Sequence, residues 1–321
     1  MHSSTPCAQC VAEEDDVERT IGLLDAVPYL RAYTGQIFVI KLGGELLGDA
    51  RHLAAVSRDI AVLHRLNIGV IVVHGGGPQL DQVTSKLGLE VERVAGRRIT
   101  SPDVLEAAKM VFRGQLSLDM VSALIREGER AIGLSGVDGR IVQARRRPES
   151  LVTDDDGTKR AVDFGEVGDV TGVDPSVLLS VLKGGAIPVI SPLGADDEGR
   201  VYNVNADTVA AEIAGAVDAA KLMLLTRAPG VLADSEDPTS LLHWTDLRQL
   251  AELELLGAFH SGMRPKISAI RRALEQGVPR VHVIDGRRDG ALLEEVFTTD
   301  GCGTLVVTHA EDMPAEPLAS K

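Results

Sequence analysis

From residue 36 onward, short apolar runs alternate with helical stretches, and that alternation admits few folds. Strands are expected at 36–41, 68–73, 130–134, 187–190, 221–225, 279–284 and 304–307. Between them, Leu53, Val56, Ile60 and Leu63 lie on one helical face, and Thr100-Ser-Pro-Asp103 reads as a capping box opening a helix through Val111. Asn205-Ala-Asp207 opens an Ala-rich helix, Thr245 caps another, and 263–276 forms a third. Strand–helix alternation of this kind gives parallel strands with helices on both faces. Aromatics are 3% of the chain, so the core must be built from Val, Leu, Ile and Ala, which suits buried parallel strands under Ala-rich helices. Residues 140–170 break the pattern: basic, then acidic through Asp154-Asp155-Asp156-Gly157, they read as a hairpin-rich insertion that could act as a lid.

A net charge of −14 repels phosphate backbones, and the scarcity of aromatics leaves little to stack on bases, so a nucleic-acid partner is not expected. Three cysteines, Cys7, Cys10 and Cys302, cannot make a disulfide framework and suggest a reducing compartment; the Cys7/Cys10 pair has no second pair to complete a zinc site. No run approaches the roughly 20 apolar residues of a membrane span, and the first residues lack the pattern of a secretory signal. The expected location is cytoplasmic, with no membrane partner. Residues 1–34 read as a polar leader followed by an amphipathic helix at 17–27, marked by Val17, Ile21, Leu24 and Val27 and kinked or ended by Pro28. Such a helix either packs on its own domain or docks on a neighbouring subunit. Residues 309–321 are a polar tail, expected to be disordered.

Open parallel sheets bind ligands at the carboxyl ends of their strands. Lys41 ends the first strand and is followed by Gly43-Gly44; the second ends in His74-Gly75-Gly76-Gly77-Pro78 and runs into a helix. Glycine lets backbone N–H groups approach an anion, and a helix N-terminus adds partial positive charge. Two such loops with a lysine between them define a concave anion site. The Walker A loop, the dinucleotide G-x-G-x-x-G and H-E-x-x-H are missing, and Gly133-Leu-Ser-Gly136 falls one residue short of a nucleophile elbow. A P-loop ATPase, a nicotinamide dehydrogenase and a zinc hydrolase are disfavoured.

Lys41-Leu-Gly-Gly44, His74-Gly-Gly-Gly-Pro78, Gly96-Arg-Arg98-Ile-Thr100, Gly133-Leu-Ser-Gly136, Asn203-Val-Asn-Ala-Asp207, Pro229-Gly-Val231, Gly262-Met-Arg-Pro-Lys266 and Gly301-Cys-Gly-Thr304 follow one another as in the amino acid kinase family. The resemblance runs from about Pro28 to Val307 and is strongest to its acetylglutamate-phosphorylating members. It implies a three-layer αβα sandwich around an open, mainly parallel sheet, with an N-terminal helical extension. Residues 35–195 would form an acetylglutamate-binding and dimerisation lobe and residues 196–308 an ATP-binding lobe. The implied reaction is MgATP-dependent phosphorylation of the side-chain carboxylate of N-acetylglutamate, with ATP and Mg2+ as cofactors and the ion held mainly through the nucleotide phosphates rather than by protein ligands.

The same resemblance places catalytic roles on Lys41 and Lys266, one on each side of the moving phosphoryl group, with Asp207 orienting both. Backbone N–H groups of Gly43, Gly44 and Gly76 would hold phosphoryl oxygens. Gly76, Gly77, Arg98 and Asn203 would bind the acceptor, Arg98 as a bidentate clamp on its α-carboxylate. Leu225, Thr226, Gly230, Val231, Ser261, Gly262 and Met263 would line the nucleotide site. Arg227 stands where the family usually has aspartate, and Leu116-Ser-Leu-Asp119 where many members carry Val-Asn-Lys. Arginine-inhibited members use an N-terminal helix to interlace dimers into a hexamer, a trimer of dimers. Their effector site corresponds to His282, Glu295 and Gly301 here, which implies L-arginine as an effector and a homo-oligomeric enzyme. The alternatives are a kinase for acetylaminoadipate or for a carrier-bound acid of lysine biosynthesis, and a non-catalytic arginine-sensing relative; the presence of Lys41, Asp207 and Lys266 together argues against the last.

Overall fold

The computed structural model describes residues 26–153, 159–234, 237, 239–259 and 262–312. Its centre is one eight-stranded sheet. In chain order the strands are β1 (Ile37–Leu42), β2 (Gly69–His74), β3 (Ala131–Ser135), β4 (Ile187–Ser191), β5 (Lys221–Thr226), β6 (Trp244–Asp246), β7 (Val281–Asp285) and β8 (Thr304–Val307). Across the sheet they run β6-β8-β7-β5-β1-β2-β4-β3. All neighbours are parallel except β7 and β8.

Successive side chains on a strand point to opposite faces, and each face here has its own core. Phe38, Ile40 and Leu42 of β1, Val70 and Val72 of β2, and Met223 and Leu225 of β5 pack with Val56, Ile60, Phe112, Leu116 and Leu292. Val39, Ile71, Val73, Leu222 and Leu224 pack on the other side with Val209, Ile213, Ile267 and Ile270. The first face is covered by the helices Ala50–Arg65, Pro102–Lys109, Ser117–Arg126 and Ala291–Phe297, the second by Ser176–Lys183, Ala206–Ala216 and Arg264–Glu275. The three-layer α/β sandwich is thus the observed architecture.

The insertion supplies two strands of a second, four-stranded sheet, in the order Val201–Asn203, Leu193–Ala195, Val142–Arg146, Gly168–Val173, and a separate hairpin of Ser150–Thr153 and Lys159–Val162. Phe164, within the insertion, is fully buried with Val94, Val162 and Val167, and the Arg147 guanidinium lies 5.8 Å from its ring centre. The acidic run at 154–157 lies outside the described residues, as do Cys7, Cys10 and the tail from 313.

Four local expectations shift. Residues 26–33 are helical, so the helix does not end at Pro28; Tyr33 packs edge-on against Phe38, and that contact anchors the segment past the proline. Residues 17–25 lie outside the described residues. The cap of the helix Pro102–Lys109 is Ser101, not Thr100: Ser101 Oγ accepts from Val104 N at 3.3 Å, while Thr100 Oγ1 accepts from Asn203 Nδ2 at 3.2 Å. Likewise Asp246, not Thr245, caps Leu247–Leu255, its carboxylate accepting from Gln249 N at 2.8 Å, and Thr245 sits in β6. In both places the neighbour one residue on has the oxygen that reaches the free N–H of the first turn. The helix after Lys109 also does not stop at Val111: a π-helical segment, Met110–Leu116, carries it into Ser117–Arg126.

Candidate active site

The carboxyl ends of β1, β2 and β5 adjoin one another, Leu42 pairing with both Leu225 and His74. Lys41 shares the face of Val39, the one covered by Ala206–Ala216, and this parity brings it to Asp207. Asn205 caps that helix through Thr208 N at 3.0 Å, which sets Asp207 in its first turn. Lys41 Nζ lies 2.7 Å from Asp207 Oδ1, and both side chains are buried. Lys266, in the first turn of Arg264–Glu275, reaches to 3.9 Å from the other oxygen, Oδ2, and donates to Gly262 O at 3.4 Å. Burial pushes the Asp207 pKa up, but Lys41 first and Lys266 second outweigh it and hold the carboxyl below the usual range. One buried carboxylate therefore carries two ammonium groups, and the site keeps an excess positive charge.

The two glycine loops meet beside this triad. A Cβ on Gly44 would lie 3.0 Å from both Cα and N of Gly76, so glycine at 44 keeps the Gly76 amide uncovered. On its other side Gly76 rests on Phe112 and Leu116, where a Cβ would come within 2.8 Å and 2.4 Å of side-chain carbons. The Gly43 N–H is engaged within the sheet, donating to Leu225 O at 3.1 Å. Gly44 opens the helix Gly44–Leu47 and Gly76 precedes Gly77–Lys86, positions where helices leave N–H groups without a backbone partner. The Gly44 and Gly76 amides are among those left for an anion, while the Gly43 N–H is taken by the sheet, which departs from the expectation for Gly43.

Arg98 ends a two-residue strand, Arg97–Arg98, paired with Arg93–Val94. Its guanidinium donates to Gly77 O at 3.0 Å and to Asp81 Oδ1 at 2.6 Å, which fixes it to the helix behind the second glycine loop. Its Nε is buried without a partner among the described residues. Burial lowers its pKa, and Asp81 offsets this only in part, so a further carboxylate would relieve a guanidinium short of counter-charge. Asn203 stands at the end of Val201–Asn203, tied to Thr100. Gly77 has open space where a side chain would be.

At the carboxyl end of β5, Thr226 Oγ1 accepts from Ala228 N at 2.8 Å and shapes the turn toward Gly230. Gly230 lies against Thr304, where a Cβ would come within 2.4 Å of Oγ1, and Val231 donates its N–H to that same oxygen at 2.8 Å. Val231 is fully buried and so backs this loop from within. Arg227 is exposed. Gly262 and Met263 lead into the helix of Lys266; Ser261 lies outside the described residues. Ser117 is buried against β3, where a Cβ on Gly133 would sit 2.5 Å from its Oγ, so this departure from the family pattern alters helix-on-strand packing.

At the opposite, amino end of the same strands lies a second polar cluster. His282 Nδ1 is 2.6 Å from Glu295 Oε1, and its Nε2 is 2.9 Å from Lys221 Nζ. The second Glu295 oxygen accepts from Cys302 N at 2.7 Å and Gly303 N at 2.9 Å. Gly301 has φ +61°, and a Cβ there would come 2.6 Å from that oxygen. Burial, with Arg280 second, brings Lys221 down to about 7, and its ammonium lies 4.9 Å from the Tyr33 ring centre.

Sequence reasoning missed the side chains that hold the loops. Gln79 Nε2 donates to Gly44 O at 2.7 Å and so links the two glycine loops directly. Asp81, one turn into the same helix, anchors Arg98. Their signal was their place in the first turns after a glycine run, which is weak without the fold.

The fold and the site define a class first. Residues 36–285 match the amino acid kinase family, and the chain belongs to that family. Within it, the chain is 46% identical to the acetylglutamate kinase of Myxococcus xanthus, over 91% of this chain and 96% of the relative. It is 39% identical to the acetylglutamate kinase of Methanocaldococcus jannaschii, over 90% and 96%. Among solved structures, the N-acetylglutamate synthase from Neisseria gonorrhoeae complexed with coenzyme A and L-arginine superposes with a TM-score of 0.76 at 27% identity, over 91% of this chain and 66% of that one. Carbamate kinase from Giardia lamblia bound to AMP-PNP shares the fold at a TM-score of 0.58 and 16% identity, over 86% and 99%.

Proposed function

We propose that this chain transfers the γ-phosphoryl group of ATP to the side-chain carboxylate of N-acetyl-L-glutamate, giving N-acetyl-L-glutamyl 5-phosphate for arginine biosynthesis. The observation that carries the reading is Asp207 drawing Lys41 and Lys266 to one point beside two open glycine amides; the acetylglutamate kinase relatives supply the acceptor. An acceptor carboxylate is already ionised near neutral pH, so no base is needed. Its oxygen bonds to the γ-phosphorus as the bond to the ADP oxygen breaks, and no proton moves. The protein's task is to bring two anions together and neutralise the charge between them. Lys41 and Lys266 supply that charge, the Gly44 and Gly76 amides hold the phosphoryl oxygens, and Asp207 positions the lysines. Arg98 takes the acceptor's α-carboxylate on its free edge, with Asn203 and the Gly76-Gly77 loop lining the rest of the pocket.

The nucleotide lies along the turn at 225–231 and the residues 261–263. Its magnesium ion would neutralise phosphate charge and be held mainly through the nucleotide, since Asp207 is committed to two lysines. No helix among them is long and apolar enough to cross a membrane, in keeping with a cytoplasmic enzyme. We further propose a homodimer through the edge strand β3 and the helical rod beside it, which expose Ile132 and Met110, Leu118 and Ile125 respectively, and a hexameric trimer of such dimers joined through the N-terminal helix. L-Arginine acts as a feedback inhibitor at His282, Glu295 and Gly301; the arginine-bound state of the synthase structure supports this.

The test is ADP release by the purified protein with MgATP, N-acetylglutamate and hydroxylamine to trap the acyl phosphate, with and without arginine. Acetylglutamate-dependent release with hydroxamate formation is the expected result, suppressed by arginine. Release that does not depend on acetylglutamate overturns the assignment of the acceptor.

A further inference from the structure

The residue that closes β2, His74, is fully buried and has no role in the chemistry above. Strand alternation places it on the face of Val70 and Val72, opposite to Lys41. Its Nδ1 lies 3.1 Å from the carbonyl oxygen of Gly75. A carbonyl only accepts, so Nδ1 carries the proton and donates. Nε2 is buried without a partner among the described residues, as suits the lone pair of a neutral ring. Burial brings the imidazole pKa down to about 4, so the ring stays neutral at working pH.

The neighbouring backbone is held on every other side. Gly75 donates its N–H to Leu42 O at 2.8 Å, and Gly76 O accepts from Leu80 N at 2.9 Å. What remains is the orientation of the peptide unit joining Gly75 to Gly76. That unit is planar and trans, so its C=O and N–H point in opposite directions. A C=O held toward His74 turns the Gly76 N–H away from it, to the side where Gly44 leaves the amide uncovered. Turned over, the same peptide would present an oxygen to the phosphoryl group, and attraction would become repulsion.

We infer that His74 is a positioning residue: its Nδ1–H holds the Gly75 carbonyl and thereby aims the Gly76 N–H at the transferring phosphoryl group. This rests on the reading of Gly76 as a phosphoryl donor. His74 is not a catalytic residue, because a fully buried ring touches no substrate.

The experiment compares kcat and the KM for ATP in the full-length protein and in the variants His74→Leu, His74→Asn and His74→Gln, each checked for folding by circular dichroism and thermal melting. Acetylglutamate-dependent turnover by the unmodified protein comes first; its absence defeats the function proposed above and not the role of His74. Given turnover, His74→Leu is expected to lower kcat about ten- to a hundredfold, the scale of a misplaced reacting geometry, with KM nearly unchanged. The asparagine amide nitrogen sits near the place of Nδ1 and restores most of the loss; the glutamine amide, one methylene further out, does not. Unchanged kcat in His74→Leu, or equal activities in the asparagine and glutamine variants, overturns the inference. Should the leucine variant not fold, the asparagine-to-glutamine ratio decides alone.

Discussion

Two buried clusters of lysine and carboxylate stand at opposite ends of the same strands, and they are built to opposite rules. At the amino end, Lys221, His282 and Glu295 form a closed chain in which both His282 nitrogens and both Glu295 oxygens have partners inside the protein. At the carboxyl end, Asp207 serves two lysines, Arg98 keeps a free Nε, and two glycine amides have no backbone partner. Burying charge is costly unless it is matched, and an unmatched buried group marks a place reserved for something else. The first cluster is satisfied as it stands, so an effector arginine there would exchange bonds already made, whereas the second is a site completed by its ligands.

This contrast breaks first at Lys41. Replacing it by methionine should lower acetylglutamate-dependent ADP release on the order of a thousandfold, the loss expected when developing charge loses its main stabiliser. Asp207 would keep one partner 3.9 Å away, and denaturant unfolding should show about 3–5 kcal/mol less stability. Turnover near that of the parent would remove Lys41 from the mechanism. At the other end, Glu295→Ala should cost a similar roughly 3–5 kcal/mol, by stranding the buried His282 N–H and the Cys302 and Gly303 amides. Turnover per folded molecule, measured without arginine, should stay as it was. A stable variant with impaired chemistry would mean that the two ends are not separable.

Arg98→Lys sharpens the comparison on a smaller scale. Loss of one charge-assisted hydrogen bond, worth about 1.5–3 kcal/mol, should raise the KM for N-acetylglutamate about ten- to a hundredfold in steady-state assays, with kcat changed far less. The effect of pH is the most gradual, and it joins the two ends. His74 and His282 fall from an ordinary 6.5 to about 4, in each case chiefly through burial, with Lys221 adding to it at His282. Between those values the unfolded chain binds protons that the folded protein refuses, so stability falls as pH drops from 6.5 toward 4, by about 1.4 kcal/mol per pH unit for each net proton. Asp59, raised by burial to about 6, opposes this with one group against two. A denaturation midpoint that rises on acidification through this window would show that the histidines are charged in the fold.

The sheet was legible because its strands are nearly continuous apolar runs with glycine at their ends. β6 was not: three residues long and exposed at Trp244, it carries no such run, and Thr245 reads as a helix cap from its residue type alone. The hairpin that delivers Arg98 is equally silent, being two residues a side. Lys41 and the glycine loops could be read from local pattern alone. Asp207, Lys266 and Arg98 could not, since their meeting depends on strand parity and on which helix crosses which strand; there the family resemblance carried the reading. The supports, Gln79 on Gly44 and Asp81 on Arg98, appear only when the loops are placed in space.

The π-helical segment Met110–Leu116 has a consequence of phase. Phe112 and Leu116 sit beneath Gly76, while Met110, Leu118 and Ile125 along the same continuous rod are exposed. A π turn takes in one more residue than an α turn, and deleting that residue would rotate one flank against the other by roughly 100°. Either the floor of the second glycine loop or the outward apolar stripe would then lose its place. The extra residue works as a phase adjuster between inner and outer surfaces, and insertions or deletions here should be tolerated far less well than substitutions.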